Sequence, residues 1–293
     1  MNLNRRILRK AITLWGRVRP KFHTKLGGRD IVISPIHEYT LHLLSWCPDW
    51  KTSCVEKILR DRPGVFLDVG ANIGQTLFDY LSTGTRRGYI GFEPSPPCVD
   101  QLNDVFNSNG LLDCKIVPIA LSNTNGITSI YFSGELTETT ATMIAVNRTS
   151  GEMNSYFASM FRYDDISNTI GLQDKVSLVK IDVEGAELLV IEGMKQLLSE
   201  DRPWIICEVL SRDLDADPVL YTERCRNIMS LINTSNYICF SIGKSADFTA
   251  VTKLTRCYEF PEIAHHKRDF MLAQLDYLFI PSSDAANANK LFA

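Results

Sequence analysis

The chain has 293 residues, of which 45% are hydrophobic and 22% charged. That is enough apolar material to bury a full core, which excludes a largely disordered chain and leads us to expect one large domain with an appendage. A net charge of -3 at neutral pH supplies no global positive field, so a nucleic-acid partner is not expected.

Residues 1–34 read as a basic arm. Arg5, Arg6, Arg9, Lys10, Arg17, Arg19, Lys21, Lys25 and Arg29 alternate with Ile7, Leu8, Ile12, Leu14, Trp15 and Val18. The spacing suits an amphipathic helix ending before Pro20, either solvated against the domain or in peripheral contact with an anionic membrane surface through residues 1–29. It lacks the long apolar stretch of a signal peptide, and no segment reaches the roughly 20 apolar residues needed to cross a bilayer. Residues 35–62 read as a helical cap, with Tyr39, Leu43, Leu44 and Trp46 and then Val55, Ile58 and Leu59 at turn spacing around Pro48.

The main domain is expected over residues 63–281. Short apolar runs at 64–69, 89–92, 114–119, 127–132, 176–183, 204–210, 237–242 and 275–280 read as strands. Helical patterns at 74–81, 97–106, 186–198 and 219–232 lie between them, and this alternation implies a Rossmann-like α/β fold with a mostly parallel sheet covered on both faces. The polar stretch 133–154 reads as a long loop, and residues 282–293 as a tail of low order. The eight cysteines show neither a C-x-x-C pair nor a His at zinc-finger spacing, so no zinc site is expected. Cys207 and Cys239 sit inside apolar runs and read as buried thiols of a reducing compartment, which points to the cytoplasm.

In an open parallel sheet the ligand lies beyond the carboxyl ends of the strands. After the first strand come Asp68-Val69-Gly70-Ala71-Asn72-Ile73-Gly74, whose glycines permit a sharp turn and close approach of a ligand. A dinucleotide fingerprint would need glycine at 70, 72 and 75, but Asn72 and Gln75 stand there, which disfavours an NAD-dependent oxidoreductase. The second strand ends in Gly91-Phe92-Glu93-Pro94, placing a carboxylate where it could accept hydrogen bonds from both hydroxyls of a ribose. Lys180-Ile181-Asp182-Val183-Glu184-Gly185-Ala186-Glu187 sets three acids around a glycine. Acids at a helix amino terminus also offset its dipole, and Glu187 could close a cap, but neither accounts for Asp182. The neighbouring strand ends in Glu208, so Asp68, Asp182 and Glu208 are expected to converge on one negative rim. Such a rim suits a cationic sulfonium, and could also hold a divalent cation or a proton.

These phrases together closely resemble the FkbM family of methyltransferases, over roughly residues 65–210, and Tyr163-Asp164-Asp165-Ile166 resembles the acidic turn that family places before its fourth strand. The resemblance implies a class I methyltransferase fold, S-adenosylmethionine as donor and most often oxygen as acceptor. By motif match Asp68, Gly70 and Asn72 would frame the methionine part, within turns that include Ala71, Gly74 and Pro94. Glu93 would hold the ribose, Ser122 would lie near the adenine, and Asp182 and Glu184 would line the place where donor and acceptor meet. Related sequences often carry a His shortly after the acid of the fifth strand, where this chain has Leu210, so the general base stays open among Asp182, Glu184 and Glu208. His37, His42, His265 and His266 are the remaining options, the last two reading as a solvated loop. A Mg²⁺-assisted variant is conceivable but not favoured. The expected acceptor is a small molecule or glycan, shaped by residues 35–62, 133–154 and 211 onward. A non-catalytic binding module of a glycan-assembly complex is the alternative outside enzymology.

Overall fold

The computed structural model describes residues 21–34, 38–133, 142–144, 153–172, 174–209, 218–260 and 276–292. In chain order they form β1 (Phe22–Leu26), β2 (Arg29–Ile33), a 3-10 segment (Glu38–Ser45), α1 (Trp50–Asp61), β3 (Val65–Val69), α2 (Gln75–Ser82), β4 (Tyr89–Phe92), α3 (Pro96–Asn109), β5 (Cys114–Val117), β6 (Ala120–Leu121) and β7 (Gly126–Ser133). There follow β8 (Met153–Phe161), α4 (Tyr163–Ile170), β9 (Val176–Ile181), α5 (Glu187–Glu192), α6 (Lys195–Glu200), β10 (Trp204–Glu208), α7 (Pro218–Thr234), β11 (Tyr237–Lys244), β12 (Val251–Cys257), β13 (Asp276–Pro281) and α8 (Ala285–Leu291). The arm helix before Pro20, most of the 133–154 loop, His37, Leu210, residues 211–217, His265 and His266 lie outside the described residues.

The main sheet runs β12-β11-β13-β10-β9-β3-β4-β5. Its centre is parallel, as alternation requires: β3 pairs with β4 and β9, β4 with β5, and β9 with β10. The far end turns antiparallel, with β13 inserted between β10 and β11 and β12 on the edge. Strands β3, β4 and β9 are buried along their whole length, which is why their sequences are apolar runs rather than alternations. One face packs on α1, α2 and α3 through Ile58, Leu77 and Leu102; the other packs on α5, α6 and α7 through Val190, Leu198 and Ile228. Burying each such side chain contributes about 1.5–3 kcal/mol.

Local chemistry explains where α1 begins. Asp49 accepts from the Lys51 and Thr52 amides at 2.6 and 3.4 Å, and the Thr52 hydroxyl accepts from the Asp49 amide at 3.2 Å, a closed capping box. The same hydroxyl donates to Asp79 of α2 at 2.6 Å, locking the cap to the next helix.

Several expectations are corrected. Residues 22–33, the end of the basic arm, form the hairpin β1–β2, held to α3 by Asn109, which accepts from the Val32 amide and donates to its carbonyl at 2.6 and 2.8 Å. The continuous helix over 186–198 is broken in two at Gly193, where a Cβ would stand 1.9 Å from the Ser122 carbonyl oxygen. Asp164 then caps the new start, accepting from the Gln196 and Leu197 amides at 2.9 and 3.2 Å. The tail folds as α8, pinned by Asp284, which pairs with Arg62 and accepts from the Trp204 indole at 3.0 Å. Two further strands escape sequence reading altogether. β8 lies in a small separate sheet, β6-β8-β7, with Ser155, Phe157 and Ser159 facing outward, and β12 is an edge strand rich in Thr, Lys and Arg.

Candidate active site

The chain leaves β3, builds β4 and β5 to one side, and returns to β9 on the other, so the sheet reverses its order of growth between β3 and β9. A crevice opens beyond the strand ends at that point. Gly70 forms the seam: its φ is +80°, and a Cβ there would meet the Asp182 carbonyl oxygen at 1.9 Å. The Asp182 amide donates to the Val69 carbonyl at 3.0 Å, and the Gly70 and Ala71 amides donate to Phe92 at 3.0 and 3.2 Å. The loop is thereby stitched to both neighbouring strands. Asn72 and Glu184 carry φ of 49° and 53°, conformations that cost non-glycine residues energy and concentrate at ligand sites.

Above the loop lies a crevice with about 670 Å³ of empty space, the open solvent at its mouth included. Gly70 and Asn72 line it from one side, Glu93 and Pro94 from β4, Ile119, Ala120 and Leu121 from the chain after β5, and Asp182 and Glu184 from the turn after β9. Met143 covers it from the long polar stretch, where Thr142 pairs with Tyr131 and donates its hydroxyl to the Glu184 carbonyl at 2.8 Å.

Glu93 is the buried carboxylate of this cavity, accepting from the Asn72 and Ser95 amides at 2.9 and 2.8 Å. Burial pushes its carboxyl up to about 7, against the pull of those two amides. Each carboxylate oxygen keeps a lone pair for a ligand hydroxyl.

The expected sites divide from here. Asn72, Gly70, Glu93, Pro94, Asp182 and Glu184 come together around the cavity, whereas Asp68, Ala71, Gly74, Ser122 and Glu208 are not among its lining residues. Asp68 is fully buried beneath the loop, accepts from the Tyr89 hydroxyl at 2.5 Å and lies 3.7 Å from the Lys180 ammonium. Burial raises its pKa against Lys180 and Tyr89. Ser122 is buried behind the wall, its amide donating to Phe161 at 2.9 Å. His42 is exposed on the 3-10 segment.

The rim is not simply negative. Lys180 stands on β9 between two acids, donating to Asp182 at 2.9 Å while facing Asp68. Burial opposes the charge of Asp182, but Lys180, by its charge and its hydrogen bond, holds that carboxyl below the ordinary range. Glu208 follows Cys207, which pairs with Ile181 in the parallel ladder, so it ends its strand beside Asp182. The Asp182 charge, then burial, then Asp276 push the Glu208 carboxyl up while Lys180 holds Asp182 down, so of this pair Glu208 keeps a proton the more readily.

Sequence reading gave no role to Lys180, Tyr89, Lys51, Lys244 or Asp276. Lys51 is raised because Asp49, Asp79 and Asp276 outweigh the cost of burial, and Lys244 pairs with Asp276 over the Trp50 ring, 4.6 Å from its centre. A lysine inside the otherwise apolar run VSLVKI was the available signal for Lys180. Among the described residues, no group of three or more His, Cys, Asp and Glu side chains is placed to hold a metal ion, and no helix is long and apolar enough to cross a membrane.

A mostly parallel sheet with a reversed strand near one end, a glycine turn after its central strand and acids on the neighbouring strand ends define a Rossmann-like α/β fold with a ligand crevice at its switch point. The family model described as the methyltransferase FkbM domain matches residues 68–239, more than half of the 293 residues. The chain belongs to that family. It is similar in structure to a methyltransferase FkbM from Methylobacillus flagellatus KT, at 16% identity over 74% of this chain and 43% of that one, with a TM-score of 0.42. The same holds for the methyltransferase PaMTH1 of Podospora anserina with bound SAH, at 9% identity over 96% and 97% with a TM-score of 0.42. It holds also for the plantazolicin methyltransferase BpumL with SAH, at 11% identity over 83% and 85% with a TM-score of 0.35. The chain spans less than half the length of the first of these. No curated protein matches the chain.

Proposed function

We propose that the protein transfers a methyl group from S-adenosylmethionine to a hydroxyl oxygen of a sugar, glycan or other small molecule, with the donor's ribose on Glu93. The observation that carries this reading is Glu93 itself, a carboxylate buried at the end of β4, tied to the glycine turn through Asn72 and lining the crevice. The apolar wall of Ile119, Ala120 and Leu121 suits the flat face of a base.

When bound, the donor supplies an already activated methyl on a sulfonium. The chain's own task is orientation, which is worth roughly 7–11 kcal/mol of barrier in well-aligned systems. Asp182 lies where the cavity meets the β10 side. Its ionised carboxylate accepts a hydrogen bond from the acceptor hydroxyl and takes the proton as the new bond makes that proton acidic, a contribution of about 10²–10⁴-fold. Glu208, whose carboxyl the Asp182 charge raises, is in this reading the partner that holds a proton and donates rather than accepts. The same reading places the protein in the cytoplasm, with residues 1–29 as the part that contacts an anionic membrane surface.

Isothermal titration with S-adenosylmethionine and with NAD tests the donor, and binding of NAD alone would sink the reading. Mass spectrometry of cell extract incubated with enzyme and isotopically labelled donor tests the acceptor. Label on an oxygen of a hydroxylated metabolite or glycan is the expected result, and label confined to nitrogen would overturn the hydroxyl assignment.

A further inference from the structure

Away from the cavity, β11 and its edge neighbour β12 bring two thiols face to face. Cys239 and Cys257 are direct partners in the antiparallel register. Such partners have Cα atoms about 4.5–5.5 Å apart, inside the roughly 4.4–6.8 Å that a disulfide spans. Both thiols are free in this structure, and the Cys257 thiol donates to the Thr255 carbonyl at 3.5 Å. Neither lines the methyl-transfer cavity.

We propose that Cys239 and Cys257 are a redox modification site, closing to a reversible cross-strand disulfide when the protein meets a peroxide.

The two cysteines are unequal in a way that divides the work. Cys257 is partly exposed on the edge strand, whereas Cys239 is 1% exposed and packs under α7. The neighbouring Cys239 thiol, with help from Ser241, holds the Cys257 thiol down to about 6 against burial. Cys257 is therefore the thiolate that attacks. It takes one oxygen of hydrogen peroxide to become a sulfenic acid, with release of one water. The Cys239 thiol then attacks that sulfur, the S–S bond forms, and the sulfenic oxygen leaves as a second water with the Cys239 proton. Two thiols lose two electrons, and the peroxide gains them. Because β12 pairs on one side only, it can make the small adjustment that bond formation asks of the ladder. The remaining cysteines lack this arrangement: Cys54, Cys98, Cys114, Cys207 and Cys225 are buried, and Cys47 is exposed.

The test uses the full chain in a Cys47→Ser background, treated with hydrogen peroxide, denatured, alkylated with iodoacetamide and mapped by mass spectrometry. The expected product has lost two hydrogens, has two fewer alkylatable thiols, yields one peptide pair linked through Cys239 and Cys257, and returns to the starting mass with dithiothreitol. With Cys239→Ala, Cys257 stops at a sulfenic acid that dimedone traps; with Cys257→Ser, Cys239 stays reduced. Before oxidation, native alkylation of Cys257 slows by roughly tenfold from about pH 7 to pH 5, as its thiolate is protonated. Recovery of both cysteines as alkylated thiols after peroxide, or linkage of either to a different cysteine, overturns the proposal. Should Cys239→Ala fail to fold, the peptide map of the parent and the Cys257→Ser arm still decide it.

Discussion

On the β4 side of the crevice, Glu93 is held by backbone amides two residues ahead and across one turn, at 2.8 and 2.9 Å. On the β9 and β10 side, Asp182 and Glu208 are governed by side-chain charges: Lys180 from the same strand, Asp276 from β13 and Lys51 from α1. The first half is a rigid cradle whose geometry is set by the local path of the chain. The second is an electrostatic balance in which removing one member changes the protonation of the others. A donor that is always the same nucleoside suits the first arrangement, and a step in which a proton moves suits the second.

The balance is broken most severely at its cation. Lys180→Met removes the nearest cation from Asp68 and Asp182, and a loss of about 3–5 kcal/mol is expected in urea unfolding. An unchanged midpoint would show that Asp68 is protonated in the folded protein and needs no counter-charge. Next in size is Asp182→Asn, which should fold like the parent and lose about 10²–10⁴-fold in methyl transfer. Since the Asp182 charge is the largest cause of the Glu208 shift, this variant also brings the Glu208 carboxyl down toward its ordinary range, visible by carbon NMR. Full activity in purified Asp182→Asn removes it from the mechanism.

The cradle responds differently. Glu93→Gln loses charge-assisted hydrogen bonds to ribose worth about 1.5–3 kcal/mol each, so donor affinity by titration should fall on the order of a hundredfold with little change in unfolding. Affinity within a few-fold of the parent would take the ribose off Glu93.

A smaller and graded effect follows from pH. The Glu93 pKa is raised from 4.5 to about 7 in the folded protein. Its contribution to stability is therefore present at low pH and is lost as pH rises through about 7. Donor binding needs the carboxylate and runs the other way. The rise in Tm caused by S-adenosylmethionine should accordingly be larger at about pH 8 than at about pH 6, and a pH-independent rise would contradict a titrating Glu93. The smallest change is expected for Glu208→Gln. An amide resembles the protonated acid, so methyl transfer at about pH 7 should stay within a few-fold of the parent, and a deep loss there would make Glu208 the base.

The cradle was legible because its parts are neighbours in the chain. Asp68 through Gly74 and Glu93-Pro94 each occupy one strand-to-helix turn, and glycine at 70 reports a turn that only a residue without Cβ can make. The strands around it were legible for the same reason, as buried parallel strands are uninterrupted apolar runs. The edge elements were not: β12 reads as polar because one side of it meets water, and α8 owes its place to Arg62 and Trp204, far away in the chain.

What the amino-acid order determined by itself is thus the alternating sheet, the glycine turn after β3 and the acid beside it, since each is a matter of successive backbone angles and short spacings. The protonation of the opposite rim was decided by the tertiary structure. Lys51, Lys180, Glu208 and Asp276 come from four separate elements, and charge acts through distance in space and the water excluded between groups, neither of which is written along the chain.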